Sequence, residues 1–400
     1  MDNIKANFSK LTEVQKVLVI IIAAILLYGV STGVTYTIFG GLKQGGAGIN
    51  LTSGALPGPT GAVEEDANEP KTETCPLNGA LKSKTARNAW EARRPLAVMI
   101  ENHIEARPQS GLTSADVVYE AVAEGGITRF MALYYCNLSD VQVGPVRSAR
   151  TYYLDWLGEY NNPLYAHVGG ANTPGPADAL SQIIKYKVND LNQFSIGFPT
   201  YWRDYERLGH PVATEHTMYS TTQKLWAVGA QRGWVATDSA GISWSKGFTP
   251  WKFKDDEKIS SSSKSGGTIK TITVNFWASQ GDYTVEWDYN AATNTYDRKN
   301  GTAHIDFNNK KQISPKSVVI QFEKESNAND GYPGNVHLLY GTTGTGKALI
   351  IMDGNVVEGK WIKADRLSRS KYVDSKGKEI IFDKGQIWIE TVPEGSKVTY

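Results

Sequence analysis

Between Lys16 and Lys43 the chain runs for 26 residues without a charge, beginning VLVIIIAAILLYGV. A helix needs about 20 apolar residues to cross a hydrocarbon core about 30 Å thick, so residues 17–42 read as a transmembrane helix. Lys5, Lys10 and Lys16 precede the run, whereas after Lys43 no basic residue comes before Lys71, and Glu64, Glu65, Asp66 and Glu69 intervene. The positive-inside rule then leaves residues 1–16 as a cytoplasmic stub and sends the rest outward. A cleaved signal peptide is the alternative, but the run is long for one and no small-x-small site follows it cleanly. The expected location is therefore the cell membrane, single-pass, with the bulk extracytoplasmic.

That placement decides what Cys75 and Cys136 can do. Outside the membrane they can form a disulfide, closing a loop worth about 4 kcal/mol on the chain-entropy model. Two buried free thiols are the alternative. Their spacing fits neither a zinc site nor a CxxC motif, and no metal site is read from the sequence. Lys plus Arg number 42 against 41 Asp plus Glu, so the overall charge argues against nucleic acid as a partner. Any anion site must be local.

Residues 43–74 are rich in Gly, Pro, Thr and acid and read as a disordered tether. From 75 to 258 apolar runs alternate with helical periods, which implies an α/β domain with a mixed sheet. PLAVMI (95–100), DVVYEAV (116–122), ITRFMALYY (127–135) and PLYAHVGG (163–170) read as strands. Helices are expected from Pro145 through VRSARTYYLDWLGEY, over 177–188, and from Ser220, with Ser220 and Gln223 as a capping box and Gly233 as a stop. From 259 to 400 helical periods vanish and short alternating runs bounded by turn residues such as Asp353-Gly354 imply a β-rich domain with its own core. The linker-like SSSSKSGG lies between the two.

Residues 341–347, GTTGTGK, match the spacing of a phosphate-binding loop, but the context refuses it. Ala348 cannot ligate Mg²⁺, and KALIIMDGNVVEGKW continues as strand, turn and strand where a helix N-terminus is required. No nucleotide is expected.

RRPLAVMIENHIEARPQSGLTSADVVYEAVAEGGITRFMALY with GPVRSAR, and later GTGKALIIMDGNVVEGKW and GQIWIETVP, resemble the YerB-like lipoproteins, a two-domain bacterial family of unknown function. The resemblance spans roughly residues 90–395 and implies an N-terminal α/β domain and a separate C-terminal one. No lipobox cysteine follows the apolar run, so this chain departs from the family in being anchored by a helix. A second, topology-level resemblance is to the LytR-CpsA-Psr envelope phosphotransferases, whose arginines at strand ends grip a pyrophosphate. Their Arg-Asp-Thr motif is absent here.

The candidate ligand-binding residues are Arg129, Arg147, Arg150 and Asn102. A guanidinium fork suits phosphate or carboxylate, and a helix opened by Pro145 would add its positive end. The alternative is structural pairing of these arginines with Glu101, Glu120 or Glu124. Glu101, Glu124, His167 and His216 are the candidate acids and bases, and Gly125-Gly126 would admit a ligand beside Glu124. No complete catalytic motif appears. Two functions follow: binding of an anionic cell-wall or lipid-linked polymer without cofactor, or a phosphotransferase or hydrolase acting on such a polymer, for which Mg²⁺ would be the expected cofactor.

Overall fold

A computed structural model describes residues 66, 68–256 and 269–400, all within one compact unit. The expected membrane helix, the stub and most of the tether lie outside the described residues. Among the described residues no helix is long and apolar enough to cross a membrane.

The centre is a ten-stranded mixed sheet. In chain order its strands are β1 (Leu96–Glu101), β2 (Val117–Glu124), β3 (Ile127–Tyr134), β4 (Leu164–His167), β5 (Asn189–Asn192), β6 (Ser317–Glu323), β7 (Gly344–Met352), β8 (Asn355–Lys363), β9 (Lys371–Asp374) and β10 (Ile387–Pro393). In space they run β9-β8-β7-β6-β10-β2-β3-β1-β4-β5. The four strands read from apolar runs before residue 170 are all present, and β1 and β6 are buried along their whole length. Such runs bury both faces, which fits a sheet covered on each side. The turn at Asp353-Gly354 has positive φ at both residues (52° and 67°) and joins β7 to β8 in a hairpin, as its composition implied. Gly344 to Lys347 of the refused phosphate loop lie in β7 itself.

Among the described residues helices are few and short: α1 (Lys84–Glu91), α2 (Thr151–Gly158), α3 (Ala179–Lys185), α4 (Gln193–Ile196) and α5 (Thr222–Gln231). The cap of α5 differs from expectation. Thr221, not Ser220, accepts from the Lys224 N–H: Thr221 ends the strand Met218–Thr221 directly before the helix, whereas the Ser220 hydroxyl donates to Thr200 O. The tether also ends sooner than expected, since Lys71–Thr74 pairs as a strand with Leu81–Ser83. Just after it Cys75 is bonded to Cys136 in a buried disulfide.

The second half of the chain does not stand apart. β10 lies between β6 and β2 and pairs parallel with both, so strands from either side of residues 257–268 build one sheet. A second sheet of five strands, ordered Thr302–Ala303, Thr295–Asn300, Val285–Asn290, Thr271–Val274, Val398–Thr399, belongs to the C-terminal half. Its Arg298 is fully buried, donates to both oxygens of Glu120 on β2 at 3.0 and 2.8 Å, and lies within 6 Å of the Phe130, Trp287 and Trp388 rings. The boundary expected at 258/259 lies outside the described residues.

Candidate functional site

GPVRSART does not open a helix at Pro145. α2 begins at Thr151, and its N-cap Arg150 is extended (φ −135°, ψ 153°). Backbone hydrogen bonding gives the reason. The Arg147 N–H donates to Met99 O at 2.9 Å, the Ala149 N–H to Gly169 O at 2.9 Å, and Arg147 O accepts from the Val168 N–H at 3.0 Å. Residues 146–150 are thus an extended strip bonded to the ends of β1 and β4, and the helix-terminus support expected for Arg147 is absent. In extended backbone, residues three apart point to opposite sides. The two arginines accordingly serve different carboxylates.

Arg129, on β3 and opposite Glu101 of β1, is 1% exposed. It donates to Glu124 Oε1 at 3.0 Å and to Ser148 O at 2.9 Å. Arg150 donates to the other oxygen of Glu124 and to Ala149 O. Burial disfavours the Glu124 carboxylate, but the two guanidinium groups outweigh it and hold the group well below the ordinary carboxylate range. Arg147 pairs with the buried Glu101 yet stays 24% exposed. Burial opposes ionisation of Glu101 as well, and His216, Arg129 and Arg147 together bring it below its usual value. Three guanidinium charges on two carboxylates leave one positive charge.

The other expected residues scatter. Glu120 serves Arg298 and Thr128, not Arg129. Asn102 is fully buried: its amide donates to Thr128 Oγ1 at 2.7 Å and its oxygen accepts from Gln109 at 3.0 Å and Arg107 at 3.2 Å, so it acts as a joint. His167 is fully buried with both ring nitrogens engaged, to Gly169 O and Asp190 Oδ1, each at 2.7 Å. Gly125 and Gly126, with φ of 59° and 81°, make the tight turn from β2 to β3; a Cβ on Gly126 would strike Gln280, whereas the space beside Gly125 is open. His216 lies beside Glu101.

A cavity of about 580 Å³ opens where Arg147 emerges. Arg203, Ser148, Asn172 and Phe194 share its wall, with Gly169 and Gly170. Phe194 is 77% exposed, and a Cβ on Gly169 would come within 3.0 Å of its ring. Arg203 was not legible in the sequence. It sits in the irregular stretch FPTYWRDYERLGHP and reaches the wall because Trp202–Arg203 pairs with Met218 and Tyr219. The cavity thus offers two guanidinium groups against one carboxylate, Glu215, with neutral polar groups and one aromatic face, a net positive wall that suits an anionic ligand carrying an apolar or sugar surface.

Residues 81–235 match the N-terminal domain, and residues 272–389 the C-terminal domain, of a protein of unknown function, DUF3048. The chain belongs to this family. It is 29% identical over 336 residues to YerB of Bacillus subtilis (strain 168), a protein named as a candidate lipoprotein, covering 83% of this chain and 89% of that one. A crystal structure of YerB from Bacillus subtilis superposes with a TM-score of 0.66 at 24% identity, covering 82% of this chain and 100% of the other, which shows a shared fold. The YerB-like resemblance read from the sequence holds. The LytR-CpsA-Psr resemblance finds no support in these relatives.

Proposed function

We propose that this chain is an extracytoplasmic binding protein, anchored in the membrane by residues 17–42, whose cavity at Arg147 and Arg203 takes the phosphate or carboxylate of a cell-wall or lipid-linked polymer. The observation that carries this reading is the split among the arginines. Arg129 and Arg150 are committed to Glu124, whereas Arg147 keeps accessible surface beside a second arginine in a cavity. The polarised apolar run supports the outward placement, as does the candidate-lipoprotein name of the relative. Binding is favoured over catalysis because three of the four acids and bases read from the sequence are occupied, Glu101 and Glu124 by arginines and His167 by two hydrogen bonds, while the fourth, His216, faces Glu101 and Glu105 and does not line the cavity.

Sedimentation of the purified full chain with isolated cell walls, and its titration with polyprenyl pyrophosphate in detergent, test this reading. Arg203→Ala should weaken binding of one of these by about tenfold, and added salt should weaken it further. Binding unchanged in Arg203→Ala and Arg147→Ala alike would reject the cavity as the site.

A further inference from the structure

Two neighbours in sequence, His103 and Glu105, meet the distant His216 on the flank of this site. His103 lies two residues beyond the end of β1, Glu105 lies in the turn Ile104–Ala106, and His216 ends the turn Thr214–His216. One ligand-type atom from each lies within 4.8 Å of the other two. His216 Nε2 is 3.6 Å from Glu105 Oε2, and the His103 and His216 rings stack with centroids 4.6 Å apart. His216 is buried while Glu105 is 53% exposed, which leaves the cluster open to solvent on one side.

We propose that His103, Glu105 and His216 bind a transition-metal dication, Zn²⁺ above all. Two imidazoles and one carboxylate are a zinc-type ligand set, whereas Mg²⁺ and Ca²⁺ prefer oxygen alone. The support behind the ligands points the same way. His216 Nδ1 is 3.4 Å from Glu101 Oε2, so a proton on Nδ1 faces that carboxylate and the Nε2 lone pair faces Glu105. A neutral imidazole in that tautomer sets an acceptor against an acceptor, and a cation between them resolves the conflict. The rings lie 11° from parallel, and lone pairs of parallel rings do not converge, so one ring turns on binding. His103 is the one placed to turn: it is half-buried, and its Nδ1 holds only the Glu105 N–H at 3.2 Å, a group on an exposed residue that water can satisfy. The competing arrangement is a protonated His216 clamped between Glu101 and Glu105. The metal reading stands whether or not the neighbouring cavity takes an anion.

The full chain, purified in detergent and stripped with a chelator, would be titrated with Zn²⁺ against a chromophoric competitor and with Co²⁺ while its visible absorption is followed. One equivalent should bind, Zn²⁺ should raise Tm, and His103→Ala and His216→Ala should each weaken binding by at least about tenfold, with Glu101→Gln weakening it by about tenfold from behind the ligands. If His216→Ala fails to fold, His103→Ala carries the test, because its ring lies outside the sheet. Absence of saturable Zn²⁺ binding below about 1 mM, or affinity undiminished in His103→Ala, would overturn the site and leave the imidazolium clamp.

Discussion

Arg129 and Arg203 bracket what an arginine can do in one small region. Arg129 is sealed in β3 with its charge answered by Glu124, so Arg129→Ala should cost about 3 to 5 kcal/mol, read as a lower midpoint in urea. Arg203 is exposed and donates to Thr214 O and, at 3.2 Å, to Thr217 Oγ1, so Arg203→Ala should change stability by less than about 0.5 kcal/mol while weakening ligand binding. Glu323 on β6 has a different character. Burial, with Glu159 and Asp155 nearby, pushes its carboxyl up to about 8. A folded-state pKa above the unfolded one means that the native state holds the proton more tightly. The stability is therefore fully present below about pH 4.5 and is lost as pH rises toward 8. At pH 7 the native state still holds the proton, and keeping it there costs about 3 kcal/mol relative to pH 4.5, so Glu323→Gln should raise Tm clearly at pH 8 and hardly at pH 4.5. Equal gains at both values would show that Glu323 ionises freely in the fold.

At the scale of elements, the disulfide ties the strand Lys71–Thr74 to the chain just beyond β3, across a sequence separation of 61. Cys75→Ala with Cys136→Ala should lower stability by about 4 kcal/mol if the constraint acts on the unfolded chain, measurable by urea unfolding of the double variant. This pairing was legible because only two cysteines exist and the topology expected from the apolar run places both outside. β1 to β4 were legible for a related reason: strands buried on both faces must be apolar nearly throughout, and PLAVMI or ITRFMALYY satisfy little else. The strip 146–150 was not. Its residues carry a helical period, yet their N–H and C=O groups are claimed by Met99, Val168 and Gly169, and the strand ends that offer those partners exist only once the sheet has formed. Arg203 and the cluster of His103, Glu105 and His216 escaped for the same reason, since each is assembled by pairing between distant segments.

For the whole molecule, the two family-matched regions are distinct in sequence but continuous in space. The composition break near residue 260 suggested two cores, because a Ser/Gly-rich linker between differently patterned segments usually separates independent units. The sheet argues otherwise. β10, almost at the C-terminus, sits between β6 and β2, with Ile387 opposite Ser317 on one side and Val117 on the other. Removing the second half would strip β2 of its neighbour and expose an apolar edge, and it would leave Glu120 buried without Arg298. The two halves should therefore unfold as one cooperative unit, giving a single calorimetric transition for the two family-matched regions together. A protease acting between residues 257 and 268 should yield two fragments that stay associated through gel filtration and separate only in denaturant. Two resolved transitions, or fragments that part under native conditions, would show that each region keeps a core of its own despite the shared sheet.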